Sequence, residues 1–174
     1  MGAVRLEEGG GAARARDDVL RYFAERFGVA AEAFDPYGVI AFGSSAWLVS
    51  KAMPAPASLR GFEPQNPGVR LLRDLGTFVK PTSAGLRLVG RAATRNVADL
   101  SPEDLWPFFE RKPIAPPAPI EPGFAVVRLR GEGHVIGCGI QTRDGLVSQL
   151  PDSHAAGLRT SLFLAPRAGE ARRP

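Results

Sequence analysis

Cysteine is nearly absent: the 174 residues contain one, Cys138. A single thiol excludes an internal disulfide and a cysteine-built zinc site within one chain. Lysine is scarce as well, with three residues, so the basic charge is carried by arginine. No apolar run approaches the length that spans a bilayer. Met1-Gly-Ala-Val-Arg-Leu-Glu-Glu lacks the apolar core of a secretory signal, so a cytoplasmic protein with no membrane partner is expected. No Gly-x-Gly-x-x-Gly follows a strand and no Gly-Lys-Ser/Thr occurs, so no nucleotide cofactor, and no cofactor of any kind, is expected.

What is present is ordinary for a globular chain. Hydrophobic residues make up 44% and charged residues 23%, enough to bury a core in one good domain or two small ones. Asp17 and Asp18 read as the start of a helix that carries Leu20, Phe23 and Phe27 on one side and stops at Gly28. Two β-prone runs, 37–42 and 46–49, read as a hairpin about Gly43-Ser-Ser45, and residues 51–67, with four prolines, as a loop. A second strand pair, 69–72 and 78–80, is expected around Asp74-Leu-Gly76.

The stretch 76–101 organises the rest. A short strand delivers Lys80 into Lys-Pro-Thr-Ser, where Pro81 sets a helix-compatible φ and Thr82 or Ser83 caps a short helix that ends at Gly90. Residues 93–97, Ala-Thr-Arg-Asn-Val, read as a strand-like exit. Between Arg70 and Arg95 there are six basic residues and one acid, whereas residues 1–36 hold five basic and seven acidic groups. Positive charge is therefore concentrated, the pattern a polyanion selects. Composition tempers this, because Ala, Gly, Pro and Arg rise together and any single arginine also serves as a solvated surface charge.

Ser101-Pro-Glu-Asp104 reads as a capped helix start that Pro107 kinks or interrupts. Residues 113–122 hold five prolines and read as a stiff boundary between an N-terminal α/β domain, 15–112, and a small β-barrel, 123–165. Strands are expected at 123–129, 134–140 and 146–150, with an Asp-Gly hairpin at 142–145, a loop at 151–157 and a closing strand at 158–164. His134 and Cys138 are too few for a metal site, and Asp152-Ser-His154 are too close in sequence for a triad, so no metal and no catalytic residue is assigned. Trp47 and Trp106 read as packing residues with base stacking as the rival use.

Phe78-Val-Lys-Pro-Thr, Ala93-Thr-Arg-Asn-Val97 and the run Asp144-Gly-Leu-Val-Ser-Gln-Leu-Pro151 together resemble the C-terminal RNA-binding region of the NOP/Sun group of RNA 5-methylcytosine methyltransferases. They resemble still more the stand-alone PUA-like ribosome-biogenesis proteins that carry only this region. The resemblance covers about residues 17–158 and implies an α+β fold with a PUA-like barrel, and structured rRNA or tRNA as ligand. The methyltransferase cofactor domain and its Pro-Cys motifs have no counterpart here, so the implied role is non-catalytic, with a separate enzyme supplying any modification. Lys80, Thr82, Thr94, Arg95 and Asn96 stand in the matching motifs. Arg87 and Arg91 join them as phosphate contacts, and Gln149 joins Asn96 as a side chain able to read a base edge. Three structural uses stay open: Lys80 paired with Asp74 across its hairpin, Asn96 as a turn cap and Arg95 as a partner of Asp99. The rival functions are a subunit of an RNA-modifying enzyme and an adaptor that meets an acidic protein.

Overall fold

A computed structural model describes residues 12–52, 66–74 and 78–164 of the chain. The class is α+β, with two four-stranded sheets and four α-helices among the described residues. Helix α1, Ala12–Phe27, lays Val19, Phe23 and Phe27 into the core at helical spacing, and Gly28 at φ +62° ends it. It begins five residues before Asp17, so that aspartate lies inside the helix rather than at its start. A 3₁₀ turn, Ala31–Phe34, buries Phe34 against Phe23.

The first sheet has the order β1-β2-β3-β4, all antiparallel: Tyr37–Phe42, Ser45–Ser50, Val69–Asp74 and Val79–Pro81. The expected hairpin is present but turns on Gly43-Ser44 alone, with Phe42 opposite Ser45, so Ser45 opens β2 instead of belonging to the turn. The proline-bearing loop lies mostly outside the described residues, as does the 75–77 turn. Pro81 closes β4 instead of opening a helix. Thr82 is the cap of α2, Ser83–Val89, accepting from the Gly85 N–H at 3.0 Å. A 3₁₀ turn, Gly90–Ala92, follows, and residues 93–96 are not strand.

The second sheet has the order β5-β6-β7-β8: Val97–Leu100, Gly123–Leu129, Val135–Gln141 and Leu146–Ser148. β5 pairs parallel with β6, and the other pairs are antiparallel. Between β5 and β6 runs α3, Pro102–Phe109, opened by a Ser101–Asp104 capping box and continuing through Pro107. The proline-rich stretch 113–122 lies in the connection from α3 to β6, where Ile114 bridges to Leu146 beside β8. The strand before it, β5, therefore pairs with the strand after it, β6.

The expected barrel is an open sheet, because no strand among the described residues returns to close it. The segments expected as loop and closing strand are helical, with α4 spanning Asp152–Arg159 and a π-helical turn over Thr160–Leu164. The reason is a helical apolar face: Ala155, Leu158 and Phe163 pack onto the core around Leu105, Phe108 and Leu150. A second core joins the sheets, with Phe124, Val126 and Cys138 packed among Phe23, Leu71, Leu86 and Val89. No helix among the described residues is long and apolar enough to cross a membrane.

Candidate nucleic-acid interface

The sequence-derived site residues divide between two clefts that share no lining residue, with Arg87 and Arg91 apart from both. The first cleft, about 230 Å³, opens where β3, β4 and the start of α2 meet the end of β8 and the start of α4. Lys80 and Gln149, 69 positions apart, join there through Lys80 Nζ donating to Gln149 Oε1 at 2.7 Å. Thr82 lines the same cleft but is committed structurally, its hydroxyl accepting from Gly85 and donating to the Arg70 carbonyl. Its own N–H donates to Leu71 O at 2.9 Å, tying the helix start to β3.

Two arginines that sequence reasoning counted but did not assign complete the basic wall. Arg73 stands directly opposite Lys80 on the β3–β4 ladder, and directly opposite side chains share a face. Arg70 lies over Trp47 with its guanidinium carbon 4.6 Å from the ring centroid, and its buried Nε finds no hydrogen-bond partner among the described residues. Trp47 is itself buried and donates through Nε1 to Phe42 O. Ser83 and His154 also line the cleft, and no carboxylate does among the described residues. The strand pair was legible, but a turn centred on 74–76 would set Lys80 opposite Arg70; in the structure Asp74 belongs to β3 and Lys80 stands opposite Arg73. The approach of His154 depends on α4, which the sequence did not disclose.

Thr94, Arg95 and Asn96 line a second cleft of about 430 Å³, together with Asp99, Glu121 and Arg128. Here the polar groups are spent on one another. Thr94 donates to Gly28 O at 3.1 Å, and Asn96 Nδ2 donates to Arg26 O at 2.7 Å. Asn96 Oδ1 accepts from the Glu121 N–H at 3.0 Å, and its backbone sits at φ +51°. Arg95 pairs with Glu121 at 3.3 Å and not with Asp99, which holds Arg128 in two parallel bonds of 2.8 and 3.0 Å. Arg26, unassigned from sequence, is the hub: buried, it donates to Phe124 O and Glu121 O at 2.8 Å each and pairs with the Glu121 carboxylate. Burial pulls the Arg26 pKa down from its ordinary value while Glu121 opposes that shift. The Asn96 hydrogen bond, followed by the charges of Arg95 and Arg26, lowers the Glu121 carboxyl below its usual range.

The remaining candidates are outside both clefts. Arg87, exposed on α2, donates from Nε and Nη2 to Ile136 O at 3.2 and 3.0 Å, bracing β7. Arg91 is exposed, and its carbonyl accepts from Arg128. Cys138 is fully buried, where desolvation pushes its thiol up to about 12 and Lys80 only partly opposes it. That keeps it a neutral core residue rather than a nucleophile. His134 meets Glu132 at 2.9 Å on the surface, and Asp152 meets Arg111 at 2.8 Å instead of capping α4. Trp106 is partly exposed, with Arg159 stacked over it and Phe163 edge-on. Among the described residues no group of three His, Cys, Asp or Glu is placed to hold a metal. The chain matches no protein-family model and no curated protein.

Proposed function

We propose that the chain is a non-catalytic RNA-binding protein that takes structured RNA, ribosomal or transfer, at the cleft between its two sheets. The observation that carries this reading is the row of cations there: Arg73 directly opposite Lys80, Arg70 beside them, and no carboxylate in the lining among the described residues. Like charges directly opposite on a ladder destabilise it. Concentrating them in an open concavity favours a polyanion, whose phosphates neutralise them with release of counterions. Two of the motifs behind the family resemblance supply this cleft, one bringing Lys80 and the other Gln149. In this reading the second sheet with α3 and α4 is the PUA-like unit, and any modification of the RNA belongs to a separate enzyme. The Ala-Thr-Arg-Asn motif then serves the fold, since its polar atoms are held by Arg26, Gly28 and Glu121.

The test is a salt titration of binding to unfractionated tRNA by the full chain and its Lys80→Glu variant. The variant is expected to bind roughly tenfold or more weakly at low salt, with the slope of log K against log salt reduced by about one. Thermal unfolding of the same samples separates the rival role, a brace for Gln149. An unchanged affinity and slope with a lowered melting temperature overturns the RNA assignment of Lys80.

A further inference from the structure

The cations of the cleft belong to a wider surface. Across the first sheet, Phe42 faces Ser45, Ser45 faces Arg73, and Arg73 faces Lys80, so all four side chains project from one face. The alternate residues Val39, Ala46, Leu72 and Val79 project from the other face into the core. Trp47 faces Arg70 on the outer side, next to this row. Phe42 is 43% exposed, a large apolar ring left in solvent at the end of a cationic row. With strands about 4.8 Å apart, Phe42 lies about 10 Å from Arg73 and about 14 Å from Lys80.

Ser45 and Trp47 on this face are themselves buried, so what it offers is the cationic row and the Phe42 ring rising at either side of them. That suits a nucleic acid that presents phosphates and base faces together. Only an unpaired strand does so, because a duplex hides the faces of its bases in the stack. We propose that the RNA element recognised here is single-stranded and lies across the first sheet, its phosphates on Lys80, Arg73 and Arg70 and one base stacked on Phe42. This rests on the RNA-binding reading above and adds to it the class of RNA.

The experiment is fluorescence anisotropy with an end-labelled mixed-sequence RNA dodecamer, alone and annealed to its complement, on the full chain. The wild type is expected to prefer the single strand. Phe42→Ala is expected to weaken single-strand binding roughly five- to a hundredfold while leaving the salt slope unchanged, because stacking releases no counterions. Phe42→Tyr is expected to restore it, which distinguishes stacking from a folding defect. Equal or tighter duplex binding, with Phe42→Ala silent and Lys80→Glu still weakening binding, overturns the single-strand inference and leaves the RNA reading in place. No binding of either RNA, with Lys80→Glu silent, overturns both.

Discussion

Asn96 carries two constraints that no other residue type meets together. Its backbone is left-handed at φ +51°, which asparagine tolerates better than most residues. Its amide donates to the Arg26 carbonyl and accepts from the Glu121 N–H, joining the end of α1 to the entry of β6. The sequence offered Asn96 as a reader of base edges, and the turn-cap alternative describes its contacts better, for those donors and acceptors are taken. Glu121 is the titrating member of this group. Its folded pKa is depressed, first by the Asn96 hydrogen bond, so its contribution to stability is present above its unfolded value and is lost as pH falls through the folded value. The informative comparison is with Glu121→Gln. In denaturant unfolding from neutral pH down through the region below about 4.5, the wild type is expected to lose its advantage over the variant progressively. The effect is small because the carboxylate is largely exposed and screened. A difference that stays constant with pH shows that Glu121 acts through packing and not through its charge.

At the scale of elements, α2 shows what local sequence discloses and what it hides. Its cap was legible to within one residue, Thr82 or Ser83, of which the structure selects Thr82. Its stop, Gly90, was legible too, because caps and breakers act within a few residues. Its third residue was not. Gly85 lies against β3 so closely that an added Cβ would meet Leu71 Cα at 2.8 Å, a contact with backbone that cannot rotate away. Alanine gains about 1 kcal/mol over glycine in a helix interior. Overpacking against fixed backbone costs about 1–3 kcal/mol, so Gly85→Ala is expected to destabilise the protein on balance. Gly157, inside α4 with open space around its Cβ direction, is the counter-case, and Gly157→Ala is expected to stabilise by up to about 1 kcal/mol. Both values follow from urea unfolding, and a stabilising Gly85→Ala contradicts the close approach of α2 to β3. The α4 region was misread because Asp152-Ser-His154 has turn chemistry and its short apolar face becomes meaningful only against the core of the second sheet. With that segment helical, the strand needed to close a barrel is gone.

At the scale of the whole molecule, the proline-rich stretch 113–122 is the place where sequence texture and topology diverge. Prolines resist regular packing, and their density suggested a linker between independent units. Two sets of contacts span it, the β5–β6 ladder and the shared core, and a third, made by Ile114, ties the stretch itself to β8. β5 forms a parallel ladder with β6 from Val97 opposite Val126 to Leu100 opposite Leu129. Ile114 exchanges two backbone hydrogen bonds with Leu146, at 3.1 and 2.8 Å. Phe124, Val126 and Cys138 sit in the core built around α1, β3 and α2, where Ser83 Oγ also accepts from the Cys138 N–H. Burying these apolar groups contributes about 1.5–3 kcal/mol for each large side chain, far more than the connector's own few contacts. The connector is thus a covalent tether across an interface that is already core. Replacing residues 115–119 with a protease recognition sequence and cutting the purified protein tests this directly. The two fragments are expected to remain together through size exclusion and to unfold in one transition. Its midpoint should rise with protein concentration, because association is now bimolecular. Two separately eluting, folded fragments would instead make the connector a true boundary and each sheet an independent unit, and the shared core would then contribute little to holding them.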